Sequence, residues 1–389
     1  MRRILAIIAV ILYHLAMSSG FTSDKKETTN IGKPADQSYS AKQVISRSPW
    51  DMIIENGKLY IGGGDYNDNT GPVDVYCMDL ETKEWSVSGT LNDEAIGKFV
   101  RINDIVYAPG FDSKGSNSFG NFYWLEDGQW QENRSIPGAA HNYDIVAYDN
   151  KLMFAIGTWT GGTSPVKASE DHGQSFYDVP FYKDNINILE STEIHFMRVY
   201  EFFVNDTGLY CIFISSNDNS TQYYEFYKYE NEAFHFVSTH KDANIRIKAI
   251  KQEPIAAELC YEGKSYIAAH SLSRTSDFIT SEELILPKNE IAIDLLIDDE
   301  ILYVLCAELK EDCCYTRVYA YVYNSFFYPL LSFESENIPI SFAKNNNNFY
   351  IGVGQKGFDI DIIGSVLTVT VPEITLQLLK DCKLQEEIS

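Results

Sequence analysis

Apolar residues along this chain come in short strand-length runs, and seven of these runs open the same way. A turn of Asn, Asp, Gly or Glu leads through one or two hydrophobic residues to a Tyr or Phe that begins an apolar strand. The copies are Asn56-Gly57-Lys58-Leu59-Tyr60, Asn103-Asp104-Ile105-Val106-Tyr107, Asp149-Asn150-Lys151-Leu152-Met153-Phe154, Asp206-Thr207-Gly208-Leu209-Tyr210, Glu262-Gly263-Lys264-Ser265-Tyr266, Asp299-Glu300-Ile301-Leu302-Tyr303 and Asn347-Asn348-Phe349-Tyr350. From aromatic to aromatic the steps are 47, 47, 56, 56, 37 and 47 residues. Beyond the first twenty residues no long stretch keeps apolar positions at spacings of 3, 4 and 7. Residues 374–384 are the one place where a short helix is expected.

A repeat of roughly 40–50 residues made of short strands is the pattern of a β-propeller, one four-stranded blade per repeat. The expected fold is therefore all-β: a single seven-bladed propeller of four-stranded antiparallel blades. The blades fall at about 49–88, 91–135, 138–182, 194–239, 243–288, 290–334 and 337–371. The 37-residue step after Tyr266 leaves a six-bladed ring open, with residues 271–287 outside it. The ring must hide its last strand edge. The N-terminal strand Gln43-Val44-Ile45 is favoured for this, and residues 374–379 are the alternative.

The first residues read as an export signal, covering 1–20. Arg2-Arg3 supply a basic start, residues 4–17 an apolar core, and Ser18-Ser19-Gly20 small residues for cleavage. That core is short for a bilayer span, and an uncleaved anchor stays the alternative. Residues 21–42 are polar and read as a linker, and 43–389 as the propeller. The protein is thus expected outside the cell or held at its surface.

Composition narrows the partners. The 26 Tyr and 22 Phe suit half-buried strands. The formal charge of −24 becomes −26 when Arg2 and Arg3 are lost, which argues against nucleic acid and lipid surfaces. A monomer is expected. Seven cysteines leave at least one thiol unpaired within a monomer, and none forms a Cys-x-x-Cys zinc pair. Cys313 and Cys314 are read as two unpaired or separately paired thiols rather than a vicinal disulfide.

In the first blade, Tyr60, Gly62, Gly63, Tyr76 and Trp85 together resemble a Kelch repeat of the galactose-oxidase type of propeller. Tyr107 and Trp130 continue the likeness, and a lone Gly157 keeps part of it. Ser169-Glu170-Asp171-His172-Gly173-Gln174-Ser175-Phe176 resembles the Asp-box hairpin of sialidases and several other propellers, with Phe176 in place of Trp. That resemblance implies a structural turn on the side away from any active site. Both families can also be tested by absence. The mature chain has seven arginines, with none in the Arg-Ile-Pro setting of sialidases. His141 is the one histidine in the favoured loops, where galactose oxidase needs two.

A propeller carries its ligand where the loops leaving each second strand meet those approaching each first strand. Here the long polar loops lie in the first three blades: residues 65–71, 112–117 and 158–163, joined by His141-Asn142-Tyr143-Asp144. The binding residues expected from them are Asp65, Asp68, Asp112, His141, Asp144 and Trp159. Carboxylates and amides suit sugar hydroxyls, and an aromatic face suits a sugar ring. Plainer roles stand beside each: Trp159 as a blade cover, His141 as a loop cap. Asp65, Asn67 and Asn69 alternate like a calcium loop, but Gly71 comes one residue late and no Glu closes the loop. No cofactor is expected, with calcium as the open exception. The function expected is non-catalytic binding of a glycan or cell-surface protein. The alternative is a carbohydrate-active enzyme, hydrolase or lyase, using carboxylates of the same face.

Overall fold

The computed structural model describes residues 27–37, 47–64, 71–115, 118–158, 163–190, 196–216, 222–240, 257–269, 271–322, 326–354 and 363–388. Strand β1 (Thr29–Gly32) comes first. One antiparallel sheet then follows chain order as β2 (Asp51–Glu55), β3 (Lys58–Gly62), β4 (Val73–Asp79) and β5 (Trp85–Leu91). The next holds β7 (Val100–Ile102), β8 (Ile105–Pro109), β10 (Phe119–Glu126) and β11 (Gln129–Pro137). Between these, β6 (Asp93–Ala95) and β9 (Phe111–Ser113) pair by themselves.

A ten-stranded sheet contains two further antiparallel runs. One is β12 (His141–Tyr148), β13 (Lys151–Thr158), β14 (Val166–Ser169) and β15 (Tyr177–Asp178). The other is β18 (Phe196–Asn205), β19 (Gly208–Ser216), β20 (Gln222–Glu230) and β21 (Ala233–His240). The short pair β16 (Phe181–Lys183) and β17 (Ile186–Asn187) covers the outer edge of β21. Two more four-stranded sheets follow: β22 (Ala257–Tyr261), β23 (Lys264–Ala269), β24 (Ser271–Thr275), β25 (Glu282–Leu284); then β26 (Ile291–Asp298), β27 (Ile301–Leu309), β28 (Cys314–Val322), β29 (Phe326–Ser335). Residues 271–284 therefore belong to a sheet.

The last sheet is β30 (Pro339–Asn345), β31 (Asn348–Val353), β32 (Val366–Thr370) and, as its outer strand, β1. The N-terminal part of the chain thus closes it, but through residues 29–32, in the stretch read as linker. Trp85 fixes that strand by donating Nε1–H to the Ile31 carbonyl at 2.7 Å. The favoured strand at 43–45 lies outside the described residues. The C-terminal alternative is helix α1 (Glu373–Ile388), which buries Leu376 and Leu379 against β27 and β28.

The repeated sequence phrase has a simple physical content. At Asn56-Gly57, Asn103-Asp104, Asp149-Asn150, Glu262-Gly263 and Asp299-Glu300 both turn residues have positive φ, between 46° and 73°. This is the two-residue hairpin turn whose twist matches the flanking strands, and Asn, Asp and Gly tolerate it best. The aromatic after each turn then packs inward. Tyr60, Tyr107, Phe154, Tyr210, Tyr266, Tyr303 and Tyr350 are all buried, each contributing roughly 2–3 kcal/mol of apolar burial.

Three aspartates tie neighbouring four-stranded runs at their inner strands. Asp51 accepts the Met52 N–H at 2.9 Å and the Phe99 N–H at 2.6 Å. Asp144 does the same for Ile145 and Phe202, both at 2.9 Å, and Asp294 for Leu295 and Phe342, both at 3.0 Å. One carboxylate thus serves its own strand and the chain at the first strand of the next four-stranded run. A carboxylate that accepts two backbone N–H groups is well stabilised.

Candidate functional site

The chain leaving β5 crosses to the next sheet through β6, where it pairs with β9: Asp93 lies opposite Ser113 and Ala95 opposite Phe111. Asp93 is fully buried and accepts hydrogen bonds from Tyr123 Oη at 2.5 Å and Asn121 Nδ2 at 2.7 Å. A Cβ on Gly110 would stand 2.5 Å from Asp93 Oδ2, so only glycine fits there. Burial raises the Asp93 carboxyl to about 6 despite those two donors. Asp112 sits beside it in a left-handed conformation, φ 73°, uncommon for a residue with a Cβ. Burial and the neighbouring Glu94 raise its carboxyl also to about 6, against the pull of Lys114 and Arg198. Lys114 Nζ pairs with Glu94 at 3.1 Å.

Across from this ribbon, β13 is paired on both sides at Gly157, with His141 on one side and Arg198 on the other. That second pairing joins the two runs of the ten-stranded sheet and brings His141 and Arg198 to one line across three strands. A Cβ on Gly157 would meet His141 Cδ2 and Tyr143 Oη at 3.0 Å, so the missing side chain leaves room for both rings. Arg198 Nη1 donates to Tyr143 Oη and to Tyr200 Oη, each at 3.2 Å. The Tyr143 and Tyr200 rings lie 4.4 Å apart, and Phe111 packs 4.9 Å from Tyr143 and 5.3 Å from His141. His141 Nδ1 is 3.9 Å from Asp112 Oδ2. Burial, then the Arg198 charge, lowers the imidazole to about 3, so it is neutral at ordinary pH.

Strand register shows that these side chains replace framework positions. The register of β12, β18, β26 and β30 each skips one residue: Tyr143, Tyr200, Ile293 and Ile340. Two residues earlier stand His141, Arg198, Ile291 and Ile338. Aliphatic side chains fill the sites in β26 and at the start of β30. In β12 and β18 the same sites carry an imidazole, a guanidinium and two phenols.

Of the expected binding residues, Asp112 and His141 come together here. Asp144 belongs to the tie between runs, and Lys98 Nζ, 3.0 Å from its carboxylate, also pairs with Glu201. Asp65, Asp68 and Trp159 lie outside the described residues, as do Asn67 and Asn69 of the calcium-like loop. Among the described residues no group of three or more His, Cys, Asp and Glu is placed to hold a metal ion. Among the described residues Cys77, Cys211, Cys306, Cys313 and Cys314 are free thiols. Sequence reading missed Arg198 and Tyr200, whose one signal was an arginine, scarce in this chain, opening an apolar strand.

The turn at Ser169–Phe176 is held by Asp171, which accepts from Gln174 N at 3.0 Å, Ser175 N at 2.8 Å and Ser175 Oγ at 2.6 Å. These bonds, led by Ser175, lower the Asp171 carboxyl to about 2. Phe176 packs 5.4 Å from Phe154. A second turn of this kind was not read from the sequence. There Asp277 accepts from Ile279 N at 3.0 Å and Thr280 N at 2.9 Å, and Phe278 packs 4.6 Å from Tyr210. Both turns join the third and fourth strands of their runs, the end opposite the His141–Arg198 cluster.

No family model matches the chain, and a search of curated proteins found no match. Solved structures do resemble it. Virginiamycin B lyase from Staphylococcus aureus aligns with a TM-score of 0.50 at 9% identity, over 89% of this chain and 99% of that one. A chain of the mitotic checkpoint complex aligns with a TM-score of 0.50 at 7% identity, over 89% and 93%. Saccharomyces cerevisiae Sqt1 gives a TM-score of 0.41 at 9% identity, over 84% and 96%. The likeness to the lyase shows that the chain is a β-propeller of four-stranded antiparallel blades. At these identities it extends to the fold alone.

Proposed function

We propose that this protein is an exported, seven-bladed, Kelch-like propeller with an Asp-box turn at Asp171. It binds a glycan or cell-surface protein without catalysis, at the face carrying Asp112, His141, Tyr143, Arg198 and Tyr200. The seven-blade count takes the five separate four-stranded sheets together with the two runs of the ten-stranded sheet. The observation that carries the binding reading is the replacement of aliphatic framework positions by His141, Tyr143, Arg198 and Tyr200 at one end of adjacent inner strands. A propeller does not need polar groups there for stability, since β26 and β30 manage with isoleucine.

The chemistry of the cluster favours binding over turnover. An imidazole lowered to about 3 is a poor general base near neutral pH. Asp144 is engaged by two backbone N–H groups and Lys98. One observation favours the enzymatic reading: Asp112, raised to about 6, has the proton affinity of a general acid. A glycosidase would need a second carboxylate beside it, about 5–5.5 Å or 6.5–9.5 Å away. A glycan-array screen of residues 22–389, with calcium and with chelator, tests the proposal. Retention of intact glycan that is lost in Asp112→Ala supports binding, and release of shortened products supports the enzyme. Silence on every glycan turns the search to cell-surface proteins.

A further inference from the structure

We infer that Lys98 is the positioning residue of this face: its ammonium bridges Asp144 and Glu201 and so sets Tyr143 and Tyr200 side by side. This rests on the binding role proposed above and names the group that gives that site its shape. The ties between runs define one recurring position. Asp51, Asp144 and Asp294 accept the N–H groups of Phe99, Phe202 and Phe342 at the following run. Directly before those three phenylalanines stand Lys98, Glu201 and Ser341. In β12, β18, β26 and β30 the same place follows the skipped residue and holds Asp144, Glu201, Asp294 and Ser341. Lys98 reverses the charge that Asp144, Glu201 and Asp294 bring to this position.

Lys98 reaches two of these positions at once. Its Nζ lies 3.0 Å from Asp144 Oδ1 and also pairs with Glu201 Oε1. The two carboxylate side chains are 3% and 9% exposed, and the lysine side chain 23%. Each carboxylate directly follows the residue its strand skips, Tyr143 or Tyr200. A skipped residue leaves the ladder and bends its strand, so its side chain points where the bulge is held. One ammonium holds both bulges. The two rings consequently lie 4.4 Å apart, with both phenol oxygens 3.2 Å from Arg198 Nη1. Two acceptors on one nitrogen need that separation kept.

The bridge also fixes which ring moves when it is lost. Without the ammonium, Asp144 and Glu201 stand as close like charges in a poorly solvated place and repel. Asp144 is pinned by the N–H groups of Ile145 and Phe202, both at 2.9 Å. Glu201 has one more methylene than an aspartate and accepts no such pair of backbone bonds in its strand's tie. It therefore gives way, and Tyr200, its neighbour in the bulge, goes with it while Tyr143 stays.

The experiment is a set of crystal structures of the mature chain, Lys98→Met, Lys98→Arg and the double variant Lys98→Met, Glu201→Gln, each also run on the glycan array. In Lys98→Met the Tyr200 ring should swing away from Tyr143 by about 1 Å or more, breaking its bond to Arg198. Retention of glycan should fall at least about tenfold, as for a lost hydrogen bond to a charged group. Lys98→Arg keeps the charge and spans two carboxylates, so it should restore the ring pair and bring retention within about threefold of the original. The double variant removes the repulsion and should return Tyr200 to its place, and it decides the matter if Lys98→Met alone does not fold. A lysine that served stability alone would leave both rings where they are. Unmoved rings in Lys98→Met, or a double variant that neither folds nor realigns them, overturn this inference and leave the binding role standing. Rings that move while glycan retention is unchanged overturn the binding role of this face, and with it the claim that Lys98 shapes a ligand site. If the original chain retains no glycan, the ring positions alone decide for or against Lys98, and the silence counts against the glycan.

Discussion

Strands β12 and β18 can be set against β26 and β30, because the two pairs are built to the same plan. In each pair an aspartate just past the skipped residue, Asp144 or Asp294, holds its own strand's next N–H and one at the following run. The pairs differ in what precedes that aspartate. Around Asp294 stand Ile291, Ile293, Ile338 and Ile340; around Asp144 stand His141, Tyr143, Arg198 and Tyr200. The shared element identifies framework, and the difference identifies the site. Asp144 is therefore a tie, although it lies three residues from His141.

The largest expected effect breaks that tie. Asp144→Ala strands two buried backbone donors and Asp294→Ala one buried and one part-buried, and each should cost about 2–5 kcal/mol in urea unfolding, Asp144→Ala the more because Lys98 also loses a partner. Unequal losses in the other direction, or no loss at Asp144, would undo the equivalence.

Next comes Asp93, buried under the ribbon that carries Asp112. Its folded pKa of about 6 lies above the ordinary 3.8, so the folded state binds the proton more tightly. That contribution is fully present below about pH 4 and is lost as the pH rises through about 6. Asp93→Asn should flatten this slope by about 1–3 kcal/mol between those limits, read from stability against pH. Asp171 has the opposite sign: with a folded value of about 2, its contribution is present above about pH 4 and lost as the pH falls through about 2.

A smaller effect sharpens the comparison at Gly157. Gly157→Ala puts a methyl 3.0 Å from His141 and Tyr143, and should cost about 1 kcal/mol while displacing both rings. Least visible of all, the His141 imidazole should show no titration by NMR between about pH 8 and pH 5. A midpoint in that range would put a positive charge on His141 within the cluster.

Much of the fold was legible in the sequence because its turns need special residues. Asn56-Gly57 and Asp149-Asn150 announce positive φ directly, and the aromatic after each turn marks the buried strand. Strand β1 was not legible. Thr29-Asn30-Ile31-Gly32 has one apolar residue, and it is held by backbone pairing and by Trp85, 54 positions later. The Asp277 turn escaped notice because it is one residue shorter than the Asp171 turn and places Phe278, φ 56°, where glycine is usual. Part of the site was readable as well, since Asp112 and His141 stand in polar stretches of the sequence, although both fall in strands, β9 and β12. Arg198 and Tyr200 were not, because their meaning depends on strand register, which only the folded chain displays. The same register misled the reading of Asp144. A skipped residue turns it away from His141 and into the tie.

The central claim is that β12 and β18 exchange framework aliphatics for a binding site. The most direct test is the double variant His141→Ile, Arg198→Ile, which restores at both positions the residue found in β26 and β30. The account predicts a chain that stays folded within about 1 kcal/mol of the original and binds nothing on the glycan array that the original binds. A variant that unfolds, or one that keeps the original's binding, would contradict it.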